Sequence, residues 1–158
     1  MGSVVSRAEL ADLAARLRAE GKKIVTTNGC FDLLHVGHVR SLNAASRLGD
    51  VLIIGLNSDL SVRKLKGPSR PITPEGERAE ILCNLRCVDF VTIFPEDTPV
   101  EFLKLVKPDV HAKGADYKRE ALAETPVVES WGGRVELLPL VPDHSTSSLV
   151  EKLSDRGD

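Results

Sequence analysis

The stretch Ile24-Val25-Thr26-Thr27-Asn28-Gly29-Cys30-Phe31-Asp32-Leu33-Leu34-His35-Val36-Gly37-His38 decides how the chain is read. Its apolar opening, Ile24 to Thr27, predicts a buried strand. The two histidines, three residues apart around Gly37, predict the start of a helix. A strand, a glycine-containing turn and a helix start form an anion site, because unpaired backbone N–H groups and the positive end of the helix dipole point outward. His35 and His38 fall near one face of the helical turn. Either form of imidazole can donate a hydrogen bond to phosphate. Gly29 permits a tight turn or the close approach of a ligand, and Gly37 leaves space against the helix. A single histidine more often caps a helix or packs in a core; two in this setting favour phosphate chemistry. Asp32 reads as an acceptor for loop N–H groups rather than a general base. The competing sharp reading is a zinc site from Cys30, Asp32, His35 and His38. It is the weaker one, because structural zinc prefers separated cysteine pairs and none is present.

Outward from this stretch, apolar runs alternate with helical patterns. Ser6-Arg7-Ala8-Glu9 has capping-box spacing ahead of Leu10, Leu13, Ala14 and Leu17, and Gly21 ends that helix. Val39–Leu48, Glu75–Leu85, Thr98–Val106, Glu124–Trp131 and Ser147–Leu153 are expected as helices. Val51–Leu56, Val88–Ile93, Asp109–Ala112 and Arg134–Leu138 are expected as strands. Met1–Val5 is expected to be a frayed end, and the polar, basic stretch 57–74 a mobile loop over the strand ends. The alternation predicts an α/β fold with a doubly wound parallel sheet in a single domain, with ligands at the carboxyl ends of the strands. Residues 1–22 read as an N-terminal helix and 23–158 as the domain proper.

The bulk numbers narrow the function. The chain has 158 residues, 42% hydrophobic and 28% charged, and a net charge of −2, so no global basic field points to nucleic acid. No apolar run is long enough to span a bilayer. Cys30, Cys83 and Cys87 are too few for a disulfide framework, and no secretory signal is visible, so a cytoplasmic setting is expected. Lys and Arg cluster locally in Arg63-Lys64-Leu65-Lys66 and at Arg70, which suits a small anionic ligand. The strand before this cluster should lie beside Ile24–Thr27, so Lys64 and Lys66 are expected over the same phosphate site. Arg78 either holds phosphate or pairs with Glu75 on the surface. Lys113-Gly114-Ala115-Asp116 follows a strand end; Gly114 allows backbone approach and Asp116 can accept from sugar hydroxyls, unless this is an ordinary turn. Ser145-Thr146-Ser147-Ser148 holds more hydroxyls than an N-cap needs, which suits a second phosphate contact.

Asn28 to His38 and Ser145-Thr146-Ser147 resemble the two signatures of the nucleotidyltransferase superfamily. Three further pieces resemble bacterial D-glycero-β-D-manno-heptose 1-phosphate adenylyltransferases. They are Asn57–Arg63 with Lys66-Gly67 and Arg70-Pro71, then Glu96-Asp97-Thr98-Pro99, then Pro108-Asp109-Val110 with Lys113 to Tyr117; Trp131-Gly132-Gly133 fits as well. Asp143-His144 departs from the glycine and aromatic that often precede the late Ser-Thr pair, and Ala115 stands where many members have a second glycine. The resemblance implies a Rossmann-like nucleotidyltransferase fold and adenylyl transfer from ATP to the heptose 1-phosphate, giving ADP-heptose for lipopolysaccharide. It implies the stand-alone form, without a kinase part, as a homodimer. His35, His38, Lys64 and Lys66 would be catalytic. Asn28, Gly29, Cys30, Phe31, Gly37, Ser145, Thr146 and Ser147 would hold the nucleotide. Asp32, Arg70, Arg78, Lys113, Gly114 and Asp116 would bind the acceptor. Mg²⁺ would ride on the phosphates with few or no protein ligands. The alternatives are a cytidylyltransferase acting on glycerol 3-phosphate or a similar small phosphate, a nucleotide-binding module without turnover, and, most distantly, a zinc-binding module.

Overall fold

A computed structural model describes residues 1–115, 118–139 and 146–154. Among them six strands form one all-parallel sheet: β1 (Ser3–Val4), β2 (Ile24–Gly29), β3 (Val51–Asn57), β4 (Phe90–Phe94), β5 (Val110–Gly114) and β6 (Arg134–Leu138), in the order β1-β4-β3-β2-β5-β6. The helices are α1 (Arg7–Ala19), α2 (Val36–Ser46), α3 (Asp59–Lys66), α4 (Glu75–Cys83), α5 (Val100–Val106), α6 (Glu124–Glu129) and α7 (Thr146–Ser154).

The central strand β3 is buried along its whole length, and its side chains divide between two cores. Val51 and Ile53 join Ile24, Leu10, Phe102, Leu103 and Val128 on the face covered by α1, α5 and α6. Leu52, Ile54 and Leu56 join Val25, Leu42, Ala45, Ala79 and Leu82 on the face covered by α2 and α4. Alternation along a pleated strand buries both sets at once. Strands run outward from β2 in opposite directions, through β3 and β4 on one side and β5 and β6 on the other. The switch point, where open α/β sheets bind ligands, therefore lies between β2 and β5. Side-chain carboxylates fix the strand starts: Asp50, Asp89 and Asp109 accept from the backbone N–H of Lys23, Leu52 and Ile24 at 2.8, 2.8 and 2.7 Å.

Two expectations are corrected. Met1–Val5 is no frayed end: Ser3 and Val4 extend the sheet beside Phe90 and Val91. The stretch 57–74 is not a loop throughout, because Asp59–Lys66 is helical. Ser58 caps α3 by accepting from Ser61 N–H, Asp59 stands in the first turn, and Arg63, Lys64 and Lys66 complement the dipole in the last. Gly67 ends it at φ +103°, a region open to glycine. The capping box of α1 forms as expected from Ser6 and Glu9. Residues 1–22 are continuous with the rest, since Leu10, Leu13, Ala14 and Leu17 belong to the first core.

One core residue titrates. His111 on β5 is fully buried, with Nδ1 2.8 Å from Thr26 Oγ1 and Nε2 lacking a partner among the described residues. Burial, aided by the Lys113 charge and opposed by the Thr26 bond, pushes its pKa down to about 3. The folded value lies below the usual ~6.5. Its contribution is thus complete above pH ~6.5 and is lost as the pH falls from there toward the folded value. His111→Asn keeps an amide near Thr26 and removes the titration. The drop in melting temperature between pH 7 and pH 4.5 should be smaller in this variant than in the wild type; an equal drop would show that His111 does not drive acid unfolding.

Candidate active site

The helix after β2 begins at His35, which is extended (φ −137°, ψ 172°) and makes no side-chain cap. No acidic residue stands in the first turn of α2, so its N–H groups and dipole face the strand ends without a competing anion. The turn into it is tightly wound. Phe31 sits at φ +45°, a left-handed conformation costing about 1–3 kcal/mol in a non-glycine residue. Its ring passes Gly29 so closely that a Cβ there would lie 3.0 Å from the ring.

The His38 ring is held between neighbours, stacked on His35 at 3.9 Å between centroids and tilted against Phe31 at 5.2 Å. Burial first, and the adjacent His35 second, lower its pKa to about 4, so the ring is neutral at physiological pH. Its Nδ1 has no hydrogen-bond partner among the described residues.

His38 lines a cleft of about 590 Å³ at the carboxyl ends of the strands. Asn28, Gly29, Cys30, Phe31, Asp32, Lys66, Arg70, Lys113, Gly114 and Ser147, all expected from the sequence, line the same cleft. His35 stacks behind His38 and is not part of the wall, and neither is Gly37, which is buried in α2. Lys64 is also outside it, more than half exposed and 3.6 Å from Asp97. Asp116 and Ser145 lie outside the described residues, as does the side chain of Thr146.

Asp32 is the acceptor its position suggested. It takes the N–H of Thr73 and Ile72 and the Nε–H of Arg70, at 2.9, 2.8 and 2.5 Å. Burial disfavours its charge, but these donors outweigh burial and hold the carboxyl below its ordinary range. Both oxygens are thus taken, which leaves a zinc arrangement with Cys30, His35 and His38 without its carboxylate. Burial also raises the Cys30 thiol, against thiolate chemistry.

Arg78 requires a correction. It neither reaches the cleft nor pairs with Glu75. Its side chain is wholly buried and donates to Thr73 O, Cys30 O, Asn57 O and Asp59 Oδ1. It ties the β2–α2 turn to the end of β3 and the start of α3, so its place as a ligand for the acceptor is lost.

The switch point is bridged by side chains. Lys113 Nζ donates to Asn28 Oδ1 at 3.0 Å and lies 3.1 Å from Glu124 Oε1. Glu124 is 5% exposed and lines the cleft with Leu122 and Ala123. Sequence reasoning passed over it, because a glutamate at a helix start is the ordinary complement of the dipole. Thr98 and Pro99, which the sequence places at a helix start and in the family resemblance but not in the site, also line the cleft.

Comparison with known proteins follows the same lines. The cytidylyltransferase-like family model matches residues 26–149. Bifunctional protein HldE of Syntrophotalea carbinolica is 53% identical over 150 residues, 95% of this chain and 31% of its own. Bifunctional protein HldE of Trichlorobacter lovleyi is 51% identical over 153 residues, 97% of this chain and again 31% of its own. The chain thus spans under a third of the length of these relatives. The crystal structure of the lipopolysaccharide core biosynthesis protein from Thermoplasma volcanium superposes with a TM-score of 0.63 at 28% identity, over 77% of this chain and 98% of that one.

Proposed function

Because the chain belongs to the cytidylyltransferase-like family, we propose that it transfers the adenylyl group of ATP to D-glycero-β-D-manno-heptose 1-phosphate. The observation that carries this reading is that neutral His38, on an uncapped helix N-terminus, and Lys66 line one cleft at the switch point. That arrangement suits a ligand with several linked phosphates. The likeness to the Thermoplasma lipopolysaccharide core biosynthesis protein supports a sugar acceptor.

The chemistry is a single in-line displacement. An oxygen of the acceptor phosphate attacks the α-phosphorus of ATP, the bond to the bridging α–β oxygen breaks, and pyrophosphate leaves with the electron pair. The acceptor is already an anion, so neither a general base nor a covalent intermediate is needed. Positioning and charge stabilisation carry the rate. His38 would donate to the phosphate oxygens as charge moves toward the leaving group, with His35 holding its ring. Lys66 would follow that charge from the cleft wall, and Lys64, once released from Asp97, from the rim. Backbone at Gly29–Phe31, with Ser145 to Ser147, would hold the nucleotide. Asp116 would take sugar hydroxyls beside Gly114. Mg²⁺ would screen the triphosphate and arrive with it; Asp32 in the wall is already saturated by donors. On the same reading the protein works as a homodimer in the cytoplasm, where ATP and sugar phosphates are at hand. No described helix is long and apolar enough to cross a membrane.

The test is pyrophosphate release with Mg²⁺ and each pairing of ATP or CTP with heptose 1-phosphate or glycerol 3-phosphate. Release that needs both ATP and the heptose phosphate is expected. Release only with CTP and glycerol 3-phosphate would keep the phosphate site and overturn the acceptor. Nucleotide binding without release from any pair would make the chain a binding module.

A further inference from the structure

We infer that Glu124 is a specificity-determining residue of the acceptor pocket, where its carboxylate accepts hydrogen bonds from adjacent hydroxyls of the sugar ring. The inference rests on the nucleotidyl-transfer reading and adds to it a residue and the part of the substrate that residue recognises.

The two flanks of the cleft come from opposite faces of the sheet. His38 and Phe31 belong to the flank of α2, whose side chains pack in the core with Leu42 and Ala45. Leu122 and α6 belong to the other face, packed with Phe102, Leu103 and Val128. A nucleotide whose phosphates meet the α2 terminus occupies the first flank. In-line displacement places the attacking oxygen opposite the leaving pyrophosphate, so the acceptor must approach from the second flank. Two carboxylates of the cleft stand on that flank: Asp97, ahead of α5, is exposed and faces Lys64 at 3.6 Å, whereas Glu124 is buried in the wall.

Its chemistry is specific. Lys113 engages Oε1 at 3.1 Å, and the carboxylate lines the cleft. The Glu124–Lys113 pair is neutral as a unit, so this end of the cleft does not attract a second anion, whereas Lys66 marks the end that does. An ionised carboxylate accepts hydrogen bonds and donates none. The group that suits it is a neutral ring rich in hydroxyls. An acidic sugar group has no donor to offer this carboxylate, and acceptors without hydroxyls make no hydrogen bond to it. Lys113, tied to Asn28 on β2, sets the position of the carboxylate relative to the nucleotide.

Steady-state pyrophosphate release by the wild type, E124Q and E124A tests this, with ATP and heptose 1-phosphate varied in turn. Loss of a charge-assisted bond in E124Q should raise KM for the heptose phosphate about tenfold, and E124A should raise it further. KM for ATP should stay within about twofold in both. KM for both substrates rising together, as a structural role would give, overturns the inference, and so does an unchanged acceptor KM in both variants. The wild type alone tests the reaction itself. If it releases no pyrophosphate, calorimetric titration of wild type and E124Q with heptose 1-phosphate still decides the residue: weaker binding by E124Q supports it, and equal or absent binding overturns it.

Discussion

His38→Ala lowers kcat by about 10²–10⁴-fold while the protein stays folded, the range expected when one donor aimed at developing phosphate charge is lost. The ring is partly buried and contributes its faces to His35 and Phe31, so its removal costs little packing. What it supplies is an N–H at a helix terminus already favourable to anions. Because the pKa lies near 4, the working form in the free enzyme is the neutral ring. The pH profile therefore separates two roles. A neutral donor keeps kcat/KM level as the pH rises from 6 to 8. An imidazolium donor would make kcat/KM fall over that range, and the fall would vanish in the variant. Circular dichroism and a melting curve establish the folded state, and calorimetry establishes that ATP still binds. Near-normal turnover in His38→Ala removes His38 from the chemistry and leaves the helix terminus and Lys66 to carry it.

The legible parts of the molecule were those governed by local rules. Ser6 and Glu9 announced α1 by spacing alone, and the apolar run at Val51–Leu56 announced a strand buried on both faces. The strand, glycine turn and histidines around Asn28–His38 located the cleft, because that motif carries its own geometry. The failures share a cause. Asp59–Lys66 looked like a loop because its polar face and flanking Pro and Gly hide a two-turn helix, held by Ser58 and by the bond from Asn57 Nδ2 to Ser61 Oγ. Ser3–Val4 is too short for any periodicity and becomes a strand only because Phe90 and Val91 lie beside it. Glu124 and Lys113 are eleven residues apart in sequence, and only the β5–α6 crossover brings their charges to 3.1 Å. A basic residue near phosphate-binding loops is indistinguishable in sequence from one that braces them, and Arg78 is the instance.

Arg78→Met should lower stability by about 3–5 kcal/mol, the cost of breaking a buried charge pair from one side. Methionine matches the length and supplies none of the donors. Thr73 O, Cys30 O and Asn57 O lose their bonds at 2.9, 2.5 and 2.9 Å, and Asp59 loses its partner at 2.7 Å. Asp59 reaches some water, so the carbonyl oxygens carry most of the penalty. For a chain of this size the loss corresponds to a fall in melting temperature of roughly 6–20 °C. Arg78→Lys keeps the charge but cannot present the planar fork, so one ammonium cannot replace bonds that diverge to four groups. It should fall between the wild type and methionine in melting temperature. The kinetic consequence comes through Cys30. Its carbonyl anchors the turn that holds Phe31 at positive φ and aims His38, so Arg78→Met assayed well below its melting point should lose kcat as well as stability. A ligand for the acceptor would behave differently: Arg78→Met would raise the acceptor KM at an unchanged melting temperature. That outcome would place the guanidinium in the cleft and overturn its assignment as the brace behind it.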